Sequence, residues 1–218
     1  MIISIDGPAG SGKSTVARKV SENLGFEHFN SGMLYRGITA YLLSINFDFN
    51  SITTNTITPP FKLETKFVDA VQRVFVNGID LTNELRNNEI SILAPKVSSI
   101  KTVREIVDNC QRNYAKNKNI VIDGRDIGSF VFPNAELKIY LDCSIKERAR
   151  RRFLEEKAKN SKITLEEIEK QLEIRDLTDR NKKIAPLVIP NGAKIIDSTN
   201  LTADEIANKI VDLAKQKL

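Results

Sequence analysis

The chain has 218 residues, 41% of them hydrophobic and 28% charged, with a formal net charge of +5 and an isoelectric point near 9.1. That length supports one well-buried α/β core with room for a small inserted unit and excludes two full-sized domains. No apolar run approaches the ~18 residues of a membrane span, and two distant cysteines with a single histidine exclude a zinc cluster of ordinary spacing, so Cys110 and Cys143 are read as buried reduced thiols.

Met1 to Asp6 carries no basic run ahead of a long apolar stretch, so no secretory leader is read and a cytoplasmic location is expected. Ile2, Ile3 and Ile5 predict a buried strand that ends in the turn Asp6-Gly7-Pro8. Beyond the glycines, Val16, Ala17, Val20 and Leu24 recur at helical spacing and Gly25 follows, which predicts a helix over Ser14–Leu24 closed by a left-handed glycine. A second helix is expected over Met33–Leu43, followed by a connecting stretch from Ser44 to Pro60 rich in Asn, Thr and Ser. Phe67-Val68, Val74-Phe75-Val76 and Ile79-Asp80-Leu81, with a turn at Asn77-Gly78, predict antiparallel strands, and residues 62–86 are taken as an inserted β subdomain.

Helical pattern returns from Asn88 to Lys116 with a break expected near Pro95, and Val103, Ile106, Val107 and Cys110 share one face. Ile120–Ile122, Leu137–Leu141 and Ile195-Ile196 read as further strands. Strands alternating with helices imply a parallel, doubly wound sheet. Ser144 with Glu147, Thr164 with Glu167 and Thr202 with Glu205 fit S/T-x-x-E capping boxes, the last opening a helix expected to run to the end of the chain.

Gly7-Pro8-Ala9-Gly10-Ser11-Gly12-Lys13-Ser14 matches G-x-x-x-x-G-K-S/T in full, with Thr15 continuing into the helix. The glycines let the backbone wrap phosphates and the helix brings its positive end to them. Lys13 reaches the β and γ oxygens, and the Ser14 hydroxyl is the expected Mg²⁺ ligand. Strand before and helix after are the context this motif requires, so a nucleoside triphosphate is the expected ligand. The Asn-Lys pairs at 117 and 181 lack the following Asp of a guanine-reading element, which argues against a GTPase switch.

Three clusters offer an acceptor site. Asn30 to Arg36 places a hydroxyl and an arginine at a helix start. Asp123-Gly124-Arg125-Asp126 follows a strand, at the carboxyl edge where open α/β sheets bind ligands. Arg175 to Lys182 ends a charged helix, for which a solvated face is the competing reading.

The segments "SIDGPAGSGKST", "NSGMLYRGITA", "VNGIDLTNELR", "VIDGRDIGSFVFPNAELKIYLDCS", "ERARRRF" and "RDLTDRNKKIAPL", in this order, resemble the cytidylate kinase family, bacterial-type enzymes that phosphorylate CMP and dCMP. The resemblance covers nearly the whole chain. It implies a P-loop sheet flanked by helices, a small antiparallel insert in the monophosphate-binding region and a helical lid over about 148–163. It implies that ATP lies on Gly7 to Thr15 under the lid arginines Arg148, Arg151 and Arg152. Ser31, Arg36 and Arg125 would hold the acceptor phosphate, Arg175 and Asp179 the sugar, and Arg104 and Asp126 the cytosine. Lys13, Arg125 and Arg175 would act in transfer. Two positions depart from the family: Pro95 stands where a serine often contacts the base, and Lys182 where an arginine often completes the phosphate clamp, so that a point charge replaces a fork.

ATP, CMP and dCMP are thus the expected partners, with Mg²⁺ as cofactor, a monomer as the expected state, and no nucleic-acid or membrane partner. Two other readings compete. One is a kinase for UMP or AMP; the other, prompted by the basic charge and the Arg148–Arg152 run, is an ATPase stimulated by nucleic acid.

Overall fold

The computed structural model describes the chain apart from Ile57, Ala70 and residues 159–161, and apart from the side chains of Arg86 and Asn88. Five parallel strands form the main sheet in the order β2-β6-β1-β7-β8: β1 (Ile2–Asp6), β2 (Glu27–Asn30), β6 (Ile120–Asp123), β7 (Leu137–Asp142) and β8 (Lys194–Asp197). β1 is central, with Ile3 opposite both Val121 and Leu137, and Ile3 and Ile5 are fully buried. The β-branched run is apolar because both sheet faces are covered. On one face α1 (Lys13–Leu24) and α7 (Ala203–Lys215) pack through Val16, Val20, Ile206 and Ile210. On the other, α2 (Ser31–Ser44) and α4 (Lys101–Ala115) pack through Leu34, Ile38, Val103 and Val107.

The separate antiparallel sheet is β3 (Leu63–Val68), β4 (Val71–Val76) and β5 (Ile79–Asp80). It rests on α2, where Val74 lies against Gly37 so closely that a Cβ there would sit 2.5 Å from Val74 Cγ1. Gln72, buried in β4, accepts a hydrogen bond from the Asn30 amide at 2.7 Å. The insert is therefore tied to the strand end that opens α2.

Several elements differ from their sequence expectation. β2 was not foreseen, because Glu-His-Phe-Asn has neither alternation nor a β-branched residue; its pairing with β6 makes it a strand. The helical break falls at 98–100, between α3 (Asn88–Val97) and α4, and Pro95 stays inside α3. Pro95 lacks its own donor, yet the Ser98 amide still reaches the Ala94 carbonyl at 2.9 Å, so α3 ends only after it. Full capping boxes form at Thr164 and Thr202, opening α6 (Leu165–Arg180) and α7. At Ser144, which opens α5 (Ile145–Lys157), only the Ser hydroxyl caps, since the Glu147 carboxylate is taken by Arg150 and Arg151. α7 stops at Lys215, short of the chain end. Both cysteines are free, but Cys110 is only half-buried. Among the described residues, no helix is long and apolar enough to cross a membrane.

Candidate active site

A cleft of about 1340 Å³ opens at the carboxyl edge of the main sheet. Ala9 to Lys13, from the loop that begins at Gly7, line its floor. Gly7 has no side chain because a Cβ would strike the Leu141 carbonyl on β7. Gly12 takes φ 88° as the residue preceding α1, and no side chain caps that helix, so its first-turn amides are left for an anion. Lys13 is buried, its Nζ donating to the Pro8 carbonyl at 2.5 Å and the Ser11 hydroxyl at 3.2 Å. Burial first, then Arg125 and Arg175, drive its pKa well down, against the pull of Asp123 and Asp6. An incoming polyphosphate relieves that repulsion.

The Ser14 hydroxyl donates to Asp123 Oδ2 at 2.6 Å and accepts from Asn30 Nδ2 at 2.9 Å. Asp123 Oδ1 accepts from the ring of His28 at 2.7 Å. α1 and β6 thus deliver a hydroxyl and a carboxylate to one spot beside the loop, and β2 adds the Asn30 amide and the His28 ring. Among the described residues no cluster of three or more His, Cys, Asp or Glu could hold a metal alone. An oxygen-only pair beside a phosphate site suits Mg²⁺, which takes one or two protein oxygens and completes its shell with water and substrate phosphate. The residues present therefore fit that ion.

Opposite the loop, Arg36, Arg125, Arg152 and Arg175 approach one another. The Arg36 pKa is lowered by burial, then by Arg125 and Arg152. That of Arg175 falls to about 10, through burial and then Arg125, opposed by Asp179. The Nε of Arg175 has no hydrogen-bond partner among the described residues. Asp179 organises the cluster from α6: its Oδ2 accepts from Arg125 Nε at 3.1 Å and its Oδ1 meets Lys182 Nζ at 2.8 Å. Burial raises the Asp179 pKa, but Arg125, Lys182 and Arg175 outweigh it and bring it to about 2. Lys182 therefore stands within the cluster, bound to Asp179. Ser31 is buried in the first turn of α2, but Asn30, not Ser31, caps that helix, accepting from the Met33 amide at 3.2 Å.

Arg104, on α4, pairs with Asp126 through a very short contact and stacks between the rings of Tyr35 and Phe130, 5.8 and 5.5 Å from their centroids. The loop bearing Arg125 and Asp126 is held from beneath by Asp6. Its two oxygens accept from the amides of Ile127 (2.8 Å) and Gly128 (2.7 Å), at a π-helical turn over Ile127–Val131. Burial, opposed by those two bonds, lifts the Asp6 pKa to about 7. Asp6 immediately precedes Gly7, so one residue anchors both the phosphate loop and the loop facing it.

The three arginines of α5 are placed differently from one another. Arg148 is only 4% exposed and fully engaged with protein: Nε donates to Cys143 O at 3.0 Å, Nη1 to Ala9 O at 2.9 Å, and Nη2 meets Asp176 at 2.7 Å. Arg151 binds Glu147 and the Ser198 carbonyl at 2.7 Å. Arg152 is 44% exposed, at the cleft. The sequence reading missed Asp6 and His28 as parts of the site, gave Asn30 and Asp123 no role of their own within their clusters, and missed Thr199 to Ala203, which line the cleft beside the phosphate loop. Asp6 and Asn30 stand at strand ends beside motif residues, which is the one signal that could have found them.

A family model described as cytidylate kinase matches residues 3–216. A cytidylate kinase of Caldanaerobacter subterraneus is 41% identical over 214 residues, 98% of this chain and 94% of that one. One of Caldicellulosiruptor saccharolyticus is 40% identical over 212 residues, 97% and 94% of the two chains. Among solved structures, a protein of Eubacterium ventriosum shares the fold with a TM-score of 0.53 at 12% identity, over 99% of this chain and 98% of that one.

Proposed function

The chain belongs to the cytidylate kinase family, and from that premise we propose in-line transfer of the γ-phosphoryl group of MgATP to the 5′ phosphate of CMP or dCMP, giving ADP and CDP or dCDP. The observation that carries this reading is that one cleft holds the phosphate loop and, facing it, four mutually repelling arginines. That is a site for two phosphates brought end to end.

Because the acceptor is already an anion, no strong general base is required. The work is to position two like charges and to stabilise charge in the transition state. Lys13 and the amides at the start of α1 hold the donor phosphates. Ser14, set by Asp123 and Asn30, would hold Mg²⁺, which when bound supplies charge neutralisation at the β and γ oxygens. Arg36 and Arg125 take the acceptor phosphate with Ser31 beside them, Arg175 and Asp179 meet the sugar, and Arg104 and Asp126 read the base. Arg152, paired with Glu155 and Glu156 on its own helix, lines the same cleft and is taken as an arginine that closes over ATP. Arg151 borders the donor side, while Arg148 acts through the Ala9 carbonyl it holds.

The test is an assay of ADP formation with MgATP and, in turn, CMP, dCMP, UMP, AMP or no acceptor, with products separated by chromatography. CDP formed one-for-one with ADP is expected. ADP without any nucleoside diphosphate product, or a better rate with UMP or AMP, overturns the reading.

A further inference from the structure

Behind the Arg104–Asp126 pair runs a buried polar stripe of which the reaction as described uses only Arg104. Arg104, Asp108 and Gln111 follow one another along the inward face of α4 and are 3%, 4% and 1% exposed. Residues four apart on a helix are neighbours, so the Asp108 carboxylate lies one turn below the Arg104 guanidinium. Tyr35, on α2, closes the same space; its hydroxyl is buried beside Arg104, Asp126 and Asp108. Among the described residues, Arg104 Nε, Asp108 Oδ1, the Tyr35 hydroxyl and both amide atoms of Gln111 lack hydrogen-bond partners.

Burying that many unpaired polar atoms in one place is costly unless they acquire partners at some stage of the working cycle. The idle atoms are complementary: a guanidinium N–H is unused on Arg104 and a carboxylate oxygen is unused on Asp108. Arg104 already spends Nη2 on Asp126 and Nη1 on the Ser98 carbonyl at 3.3 Å. Cytosine presents an exocyclic amine that needs an acceptor, next to a ring nitrogen and a carbonyl oxygen that need donors. A carboxylate facing the amine and a guanidinium facing the other two atoms satisfy it. Uracil reverses the first two atoms and leaves both groups mismatched. Asp126 can serve the amine only if it gives up part of its hold on Arg104, and the arginine then needs another anchor.

We propose that Asp108 is a second carboxylate for Arg104, a positioning residue that holds the guanidinium when a bound cytosine draws on Asp126 and so sets the discrimination between cytosine and uracil. The inference rests on the reading of Arg104 and Asp126 as the base-reading pair. The surroundings of Asp108 suit this duty: Arg104, Arg112 and Glu105 from its own helix, Asp126 from the facing loop and Tyr35 from α2. Burial, followed by the opposing pull of Arg104, places its pKa at about 6, so the carboxyl is mainly ionised at neutral pH.

Asp108→Leu and Asp108→Asn separate this role from a structural one. A leucine removes a buried carboxylate with an unpaired oxygen, so folding stability should hold or rise. The expected result is a rise of about tenfold in KM for CMP, since a hydrogen bond to a charged group is at stake. KM for ATP should be unchanged, kcat should stay within about twofold, and the CMP-to-UMP ratio of kcat/KM should fall about tenfold. Asp108→Asn, which keeps an acceptor but loses the charge, should lie between leucine and the parent. Unchanged KM for CMP and an unchanged CMP-to-UMP ratio in both variants overturn the inference. So does a parallel loss of kcat, ATP binding and thermal stability. A parent enzyme that fails to phosphorylate CMP overturns the reaction itself, and the inference with it, before any variant is compared.

Discussion

In the proposed reaction donor chemistry concentrates on Lys13, and its surroundings support that role. It is buried, held by two oxygens of its own loop, and pressed by Arg125 and Arg175. Lys13→Ala is expected to lower kcat at least ~100-fold, the scale of removing a preorganised charge stabiliser; steady-state kinetics with MgATP and CMP checks it, and near-normal turnover would remove Lys13 from that role. Asp179 titrates in the opposite sense to a buried acid without partners. Its folded pKa of about 2 lies below the ordinary 3.8, so it stabilises the fold above about pH 4 and that contribution disappears as the pH falls through 2. The size is about 2 kcal/mol. Asp179→Asn should therefore flatten the acid limb of a melting-temperature profile between pH 2 and 5, and an unaltered limb would contradict the pairing with Arg125 and Lys182. Motif residues such as Lys13 were legible in the sequence because their neighbours in the chain define them. Asp6 was read only as part of the turn that ends a strand, since the two amides it holds lie more than a hundred residues away.

Helices α5 and α6 show how elements, rather than single residues, shape the site. The Arg148–Asp176 pair joins them and reaches the Ala9 carbonyl, so α5, the phosphate loop and the helix carrying Arg175 and Asp179 share one buried bond network. Arg148→Ala leaves the Asp176 carboxylate buried and unpaired, which should cost about 3–5 kcal/mol. A urea unfolding curve measures this, and an unshifted midpoint would show the strut to be dispensable. The contact of α2 with the inserted sheet depends on Gly37 in a different way. Its absent Cβ is the space that Val74 fills, so Gly37→Ala should destabilise by about 1–3 kcal/mol through overpacking. Equal melting temperatures for the two proteins would mean that Val74 turns aside without cost. Most elements could be read from periodicity and punctuation, but β2 could not. It is an edge strand with polar composition, made a strand by its pairing with β6, and that pairing is what carries His28 and Asn30 to Asp123 and Ser14.

At the scale of the whole molecule, four arginines from separate parts of the chain, Arg36, Arg125, Arg152 and Arg175, come together where the proposed reaction would bring two anionic ligands to meet. The mutual depression of Arg36 and Arg175 by Arg125 and Arg152 is repulsion that bound phosphate relieves. CMP at a hundred times its dissociation constant should therefore stabilise the fold by about 2.7 kcal/mol. The shift in melting temperature at a fixed CMP concentration should shrink as salt rises from 50 to about 500 mM, because the attraction is screened; a salt-independent shift would mean that binding does not draw on the arginines. The sequence by itself determined the phosphate loop, the order of strands and helices apart from β2, and the antiparallel insert, and its motifs carried the resemblance to the family. The loop, the elements and the insert rest on local rules, in which a glycine, a capping side chain or a hydrophobic period acts on its chain neighbours. Only the tertiary structure decided which arginines are struts and which stand exposed at the cleft, that Asp6 ties the end of β1 to the loop bearing Arg125, and that Asp108 lies buried beside Arg104. Those outcomes depend on burial and on partners far apart in the chain, and the free energy of a charged side chain is set by what surrounds it in space.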